Sequence, residues 1–272
     1  MGGGRTSRLS LSARASVAYK LGSRERAFVM DAETTFHATP ERLALNLRRV
    51  REEIAAAAAK AGRDPAAVTL VAVTKYVGLA EIRTLLQLGV KELGESRVQP
   101  ARPKIAALGR EAAAAGARWR LIGHLQTNKA KAALQDFATV DAVDSGHLLE
   151  SLAKEAHRLG RSAVPCLVEV NISGEAQKYG LPPGGLRAFL ARAAELPEMD
   201  VQGLMAMTPL ADRPEATSRP VFRALRELRD QANAQGWYPR PLRELSMGMT
   251  QDYPIAVAEG ATLVRVGAAL FT

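Results

Sequence analysis

Eight short apolar segments alternate with longer amphipathic segments along most of this 272-residue chain. The apolar segments are residues 68–73, 91–93, 119–122, 139–143, 166–170, 201–205, 244–246 and 263–266. Helical periodicity is visible between them, at residues 79–88, 148–159, 186–196 and 221–235. Strands that are apolar throughout favour a parallel sheet covered by helices. The alternation therefore predicts an α/β fold, a single-domain (β/α)8 TIM barrel.

The count of eight strands depends partly on the motifs around two short segments, 91–93 and 244–246. The competing architecture, a doubly wound sheet, would need a glycine-rich GxGxxG turn after its first strand. No such turn follows Val73. The barrel is therefore favoured over the open sheet.

The barrel domain is predicted to begin at Thr39, because Thr-Pro-Glu at 39–41 has the order of an N-cap, a first helical residue and a first-turn acid. Apolar residues at 43, 47, 50 and 54 give one helix face, and Gly62 ends the helix. Residues 1–29 hold six basic residues and one acidic residue, which is +5 of the net charge of +9. We therefore divide the chain into a basic extension (1–38), expected to be disordered, and a barrel (39–272). A misplaced translation start and a transit peptide are the alternatives for the extension.

Composition argues against several classes of protein. No stretch of about 18 uncharged apolar residues is present, so no membrane contact is expected. The lone Cys166 allows no internal disulfide and is expected to pack as a small buried hydrophobe. The four histidines are not closely paired in sequence, so no metal site is expected. His124 is expected to form hydrogen bonds only with the backbone. Because the excess charge lies in the extension and only 5% of residues are aromatic, nucleic acid is not an expected partner.

Lys75 closes the apolar strand 68–73 and is the first candidate for chemistry. Active sites of such barrels lie at the carboxyl ends of the strands. A lysine at that position is expected to be partly withdrawn from water, and such an amine is suited to forming a Schiff base with a carbonyl compound. The alternative is a lysine that extends its amine into solvent.

A candidate phosphate site follows the last two strands, where such barrels commonly bind phosphate. Ser246 and Thr250 supply hydroxyl groups, while Gly248 and Gly267 let backbone N–H groups approach an anion. Ordinary tight turns would use the same residue types. A Schiff-base lysine opposite a phosphate site predicts the cofactor pyridoxal 5′-phosphate (PLP).

The chain resembles the pyridoxal phosphate homeostasis proteins, which are related to the N-terminal barrel of alanine racemase. The matching segments are LVAVTK (70–75), LGESRVQ (93–99), LIGHLQTNK (121–129), VEVNIS (168–173), KYG (178–180), GLM (203–205), LSMGMTQD (245–252) and VRVGAALF (264–271). Three positions depart from the family pattern. Ser96 replaces an asparagine, Arg120 a histidine and Ala268 a threonine, and these changes bear on cofactor affinity.

The resemblance implies an alanine racemase N-terminal-like barrel and a role for each site residue. Lys75 would hold PLP as a Schiff base, and Arg265 would face the pyridine nitrogen. The phosphate would be bound by Ser246, Thr250 and the backbone around Gly248, Gly267 and Ala268. A salt bridge within the barrel mouth is the alternative for Arg265.

An arginine at the ring nitrogen supplies no proton, so the ring is expected to be a weak electron sink. We therefore expect no catalytic residues and no robust catalysis. The expected function is a cytoplasmic carrier or buffer of PLP, with an indirect effect on amino-acid balance. Apo forms of PLP-dependent enzymes are candidate partners, and a monomer or weak dimer is expected. A weakly active amino-acid racemase is the alternative, and a nucleic-acid-binding barrel is a third.

Overall fold

The structure, a computed structural model, describes residues 36–175, 177–209 and 214–272. The predictions for residues 1–35 lie outside this part of the chain. Phe36, within the segment assigned to the extension, forms a β-bridge with Val77 beside the first strand. No helix in the described ranges is both long enough and apolar enough to cross a membrane.

Within the described residues, eight parallel strands close a barrel in chain order, with the eighth strand paired to the first. The strands are β1 (Thr69–Val73), β2 (Glu92–Glu95), β3 (Arg118–Leu121), β4 (Thr139–Val143), β5 (Val164–Glu169), β6 (Met199–Met205), β7 (Glu244–Ser246) and β8 (Leu263–Val266). The helices are α1 (Pro40–Lys60), α2 (Leu79–Gln87), α3 (Val98–Ala114), α4 (Ala130–Asp136), α5 (Gly146–Arg158), α6 (Leu186–Ala194), α7 (Pro214–Ala234), α8 (Tyr253–Ala258) and α9 (Ala268–Phe271). The predicted (β/α)8 barrel is confirmed.

Helix α1 precedes the first strand and packs against α2, α8 and α9. The Thr39 hydroxyl caps it by accepting a hydrogen bond from the Arg42 backbone N–H. At the other end Gly62 has φ +66°, and the N–H groups of Gly62 and Arg63 donate to the carbonyls of Ala59 and Ala58. This is a Schellman ending, which needs a left-handed residue where the helix stops. The predicted start and end of α1 are confirmed.

Strand β2 differs from its prediction, since it covers Glu92–Glu95 rather than 91–93 and carries a glutamate at each end. Both carboxylates are buried and paired. Glu92 accepts hydrogen bonds from Arg118 and Arg120, and Glu95 accepts one from Lys104. Charges that are neutralised by neighbouring elements can remain inside a barrel, so the strand need not be apolar.

The barrel interior has its own small apolar cluster, separate from the larger core between strands and helices. Its buried members are Val71, Ile122, Ala142, Leu167, Met205 and Leu263. Residues paired in register across parallel strands point to the same face of the sheet. Register pairs join Glu169 to Met205, Met205 to Ser246, and Ser246 to Leu263. We call these four residues the inner row; they face the interior at the carboxyl ends of β5, β6 and β7 and at the first residue of β8.

Candidate functional site

Arg265 and Ser246 form a buried polar pair between β7 and β8. Arg265 is 3% exposed and Ser246 is 0% exposed. Arg265 Nη1 donates to Ser246 Oγ at 2.8 Å, and Nη2 donates to the Ala206 carbonyl at 3.1 Å. Burial lowers the pKa of the Arg265 guanidinium, and the charges of Glu169, Asp141 and Asp252 oppose that shift. Both hydrogen-bond partners are neutral, so the salt bridge considered for Arg265 is not what the structure shows.

The loop after β7 is shaped by Gly248, which has φ +90°. A Cβ atom there would lie 2.5 Å from the Ala256 Cβ and 2.9 Å from the Tyr253 Cα, both on α8. Any other residue would therefore push the loop away from α8. Thr250, two residues on, accepts a hydrogen bond from the Gly267 backbone N–H at 3.4 Å. That contact joins the loops after β7 and β8.

Asp252 anchors the same loop through its side chain. It was not predicted from the sequence as a site residue, although it is the last residue of the LSMGMTQD motif. Its buried carboxylate accepts hydrogen bonds from the Met249 N–H at 2.7 Å, the Thr208 hydroxyl at 2.7 Å and the Ser218 hydroxyl at 2.8 Å. These donors belong to three different segments. Asp252 therefore fixes the candidate phosphate loop against the loop after β6 and against α7.

The turn after β1 brings Lys75 beside these loops, because Gly267 lies against Val73, the last residue of β1. The buried Thr74 anchors the turn by donating to Glu95 Oε1 at 2.8 Å. Lys104 Nζ adds bonds to the Thr74 carbonyl at 2.8 Å and to Glu95 at 3.0 Å. Lys75 is thus positioned by hydrogen bonds that join its turn to β2 and α3.

The expectation that the Lys75 amine is withdrawn from water is wrong. Lys75 is exposed, and its Nζ lies 4.8 Å from the centre of the Tyr76 ring. The physical reason is that β1 ends at Val73, so Lys75 belongs to the turn beyond the strand rather than to the interior. The seven predicted site residues are therefore divided between the interior and the rim. Ser246, Gly248 and Arg265 are buried, whereas Lys75, Thr250, Gly267 and Ala268 are exposed or half-buried.

Glu169, the last residue of β5, is a second residue that sequence reasoning missed. It is 2% exposed, and its Oε2 atom has no hydrogen-bond partner among the described residues. Burial raises the pKa of the Glu169 carboxyl to about 7, a shift that Arg265 and His124 oppose and Asp144 reinforces. An acidic residue at the carboxyl end of an otherwise apolar strand was the available signal.

His124, expected to bond to the backbone, contacts side chains instead. Its Nδ1 lies 2.7 Å from Asp144 Oδ2, and its ring stacks on Tyr179 at 3.7 Å between centroids. These contacts join the loops after β3, β4 and β5. They form because each of these loops extends past the end of its strand on the same side of the barrel. Cys166 is buried and unpaired, as expected, and burial raises the pKa of its thiol.

Arg120, which stands where the family pattern has histidine, is part of the barrel interior. It is buried and donates to both Asp141 oxygens, at 2.7 and 3.0 Å, and to Glu92 at 3.2 Å. Burial alone would lower the pKa of this guanidinium, but Asp141 and Glu92 raise it overall. The positive charge of Arg120 is therefore balanced by the carboxylates of Asp141 and Glu92.

This chain is similar to proteins of known family and to solved structures. The alanine racemase N-terminal domain matches residues 45–272. The pyridoxal phosphate homeostasis protein of Aquifex aeolicus is 38% identical over 225 residues, covering 83% of this chain and 95% of that protein. The corresponding protein of Deinococcus radiodurans is 42% identical over 216 residues, covering 79% and 94%.

Two solved structures extend the comparison. PipY of Synechococcus elongatus with PLP bound is 34% identical, has a TM-score of 0.73, and covers 85% of this chain and 100% of that chain. An alanine racemase from Corynebacterium glutamicum, at 14% identity and a TM-score of 0.66, covers 87% and 62% and shares the fold. The chain therefore belongs to the pyridoxal phosphate homeostasis proteins and carries the alanine racemase N-terminal domain.

Proposed function

We propose that this protein binds PLP at the carboxyl-end mouth of its barrel and acts in PLP homeostasis as a carrier that buffers the free cofactor. Two findings about relatives support the proposal. Similar proteins are named for pyridoxal phosphate homeostasis, and the PipY relative was solved with PLP bound. Within this chain, the convergence of the Lys75 turn with the loops after β7 and β8 carries the proposal.

The donors at this mouth suit a phosphate monoester. The Thr250 hydroxyl accepts a hydrogen bond from the Gly267 N–H, and the Ser246 hydroxyl accepts one from Arg265. Each hydroxyl therefore retains its own O–H to donate. The half-buried Thr250, with the backbone of Gly248, Gly267 and Ala268, is proposed to bind the phosphate from the rim. Ser246 would bind it from the floor of the mouth.

Lys75 is proposed as the covalent attachment point. PLP supplies an aldehyde that condenses with a primary amine and releases water, together with an electron-accepting aromatic ring. Exposure of the Lys75 side chain lets the amine reach an aldehyde from solvent, while the Thr74–Glu95–Lys104 network keeps its turn in place. Arg265 would face the ring nitrogen.

The arginine favours a carrier over a racemase. Its guanidinium remains a cation near neutral pH, so it does not release a proton to the ring nitrogen. Racemisation would also need a second acid or base on the opposite face of the substrate. Likeness to alanine racemases at 14–16% identity shows a shared barrel and does not favour the racemase alternative.

Three finer statements belong to the same proposal. The carrier would act in the cytoplasm, would be a monomer or weak dimer, and would pass PLP to apo forms of PLP-dependent enzymes. The last statement is tested by mixing the loaded protein with an apoenzyme and following recovery of that enzyme's activity.

Borohydride reduction of the PLP-loaded protein tests the assignment of Lys75. The absorbance band of the imine should disappear, and peptide mapping should place the pyridoxyl group on Lys75. Lys75→Arg should lose the band, whereas Lys91→Arg should retain it. Lys91 is a suitable control because it precedes β2, at the opposite end of the barrel. Modification of other lysines only, or none, contradicts the assignment.

A further inference from the structure

Among the described residues, three have a buried side-chain polar atom without a hydrogen-bond partner: Glu169, Trp119 and Asp136. Asp136 still forms a salt bridge with Arg102, and Trp119 is uncharged, so Glu169 is the acidic residue of the three that has no salt bridge among the described residues. Buried polar atoms are nearly always hydrogen-bonded, and each one left unpaired costs about 1–3 kcal/mol. The other interior charges follow this rule: Arg120 pairs with Asp141 and Glu92, and Arg265 with Ser246 and Ala206. Oε2 of Glu169 has no partner.

The register of the strands shows where this carboxyl points. Glu169 belongs to the inner row, whose members Met205 and Leu263 are part of the interior cluster. Its side chain therefore faces the interior at the carboxyl end of β5. Only β6 separates it from Ser246 on β7, and neighbouring strands lie about 4.8 Å apart. Glu169 and Ser246 are thus the last residues of their strands and both face the barrel interior, with one strand between them.

Arg265 links the surroundings of Ser246 to those of Glu169. It starts from β8, bonds Ser246 on β7, and reaches the Ala206 carbonyl just after β6, the strand next to Glu169. The other charged groups that act on Glu169 are Asp144 in the loop after β4 and His124 in the loop after β3. On the neighbouring strands, Asp141 of β4 is paired with Arg120, and Met205 of β6 is uncharged.

We propose that Glu169 is a cofactor-contacting residue whose protonated carboxyl donates a hydrogen bond to the phenolic oxygen of bound PLP. This inference rests on the proposed function, because it requires PLP in the barrel mouth. The phenolic oxygen of PLP carries negative charge in its ionised form, and a carboxylate at the same place would repel it. A protonated carboxyl supplies the hydrogen bond without the repulsion.

The inference has a defined consequence for pH. The Glu169 carboxyl has a raised pKa because of its burial, so it changes protonation state near neutral pH. If only the protonated form donates to the ligand, affinity falls about tenfold for each pH unit above that pKa. A neutral amide at this position cannot titrate and still donates through its N–H.

Calorimetric titration with pyridoxine 5′-phosphate tests the inference. This probe has the same phenol and phosphate but lacks the aldehyde, so Lys75 cannot form a Schiff base with it. Wild type and Glu169→Gln should be compared from pH 6 to 8.5. Taking the ratio of the two Kd values removes the ligand's own titration. We expect the wild-type Kd to rise at least about tenfold relative to that of Glu169→Gln over this range.

A ratio that stays constant with pH overturns the role of Glu169 and leaves the proposed function intact. Failure of both proteins to bind PLP itself at every pH overturns the proposed function, and the inference with it. If Glu169→Gln does not fold, Glu169→Met provides a neutral replacement of similar length. The Met variant should lose the pH dependence and, lacking a donor, should bind more weakly than wild type at pH 6. Tight binding at pH 6 would contradict the proposed hydrogen bond.

Discussion

The Arg265 guanidinium donates a 2.8 Å hydrogen bond to the Ser246 hydroxyl and so joins the last two strands of the barrel inside the interior. Ser246 is therefore both a candidate ligand donor and the acceptor that positions the arginine. The Thr250 hydroxyl, in contrast, does not accept a hydrogen bond from a buried charged group; its donor is the Gly267 backbone N–H. The two hydroxyls should accordingly respond differently to mutation.

Ser246→Ala should reduce stability as well as PLP affinity. The change leaves a buried Arg265 N–H without its acceptor, which costs about 1–3 kcal/mol of unfolding free energy. Urea unfolding without ligand measures this cost. Thr250→Ala, at a half-buried position, is the matched control and should stay within about 0.5 kcal/mol of wild type. Equal stability of the two variants would contradict the positioning role of Ser246.

The double variant Ser246→Ala, Thr250→Ala should bind PLP at least about tenfold more weakly than wild type. A hydrogen bond to a charged group contributes roughly 1.5–3 kcal/mol, and 1.4 kcal/mol corresponds to a factor of ten. Fluorescence or absorbance titration gives the Kd values. The variant must show a folded circular dichroism spectrum. An unchanged Kd in a folded variant would mean that the phosphate binds elsewhere.

Gly248→Ala should destabilise the protein by about 2 kcal/mol or more. The new Cβ would meet the Ala256 Cβ at 2.5 Å, in addition to the strain of φ +90°. Gly62→Ala is the control, since Gly62 also has positive φ but no atom lies within 4 Å of the position that a Cβ would take. It should lose only about 1 kcal/mol. Similar losses in the two variants would show that contact with α8 does not constrain the loop.

Glu169→Gln should make the ligand-free protein more stable at pH 8 and leave it nearly unchanged at pH 4.5. The folded state raises the pKa of this carboxyl from 4.5 to about 7, so it holds the proton more tightly than the unfolded chain does. The contribution of Glu169 to stability is therefore lost as the pH rises from about 4.5 through about 7. The full effect is on the order of 3 kcal/mol. Thermal unfolding of both proteins across pH measures it, and parallel Tm curves would contradict the raised pKa.

The PLP-loaded protein should show no turnover in the usual enzymatic range of about 1–1000 per second. Arg265 supplies no proton to the ring nitrogen, and the carrier proposal includes no base on the second face of a substrate. Chiral chromatography of alanine and serine incubated with saturated protein measures racemisation. Turnover within this range that disappears in Lys75→Ala would favour the racemase alternative.

The fold was largely predictable because its strongest signal, apolar strands between amphipathic helices, is local. The bounds predicted for β4, β7 and β8 agree with the structure. Strand β2 was harder, because the partners that neutralise its glutamates come from α3 and β3. The roles of Asp252 and Glu169 depend on which strands are neighbours and in what register, and no local pattern contains that information.

The exposure of Lys75 was mispredicted for a related reason. An apolar run followed by lysine does not show at which residue the strand ends. A shift of two residues in that end decides whether Lys75 belongs to the strand or to the turn that follows it. Thr74 takes the buried position instead and bonds to Glu95, a residue contributed by the next strand. The identity of the lysine was evident from sequence, but its surroundings required the closed barrel.

Closure of the barrel through β8 and β1 also bears on how the protein is made. The Lys75 turn follows the first strand, whereas Thr250 and Gly267 follow the last two, so the proposed site exists only after β8 has paired with β1. The ribosome synthesises the Lys75 turn early and the loops after β7 and β8 last. PLP therefore cannot guide the early folding of the nascent chain. It can bind only to barrels whose last strands have been translated and have paired with β1.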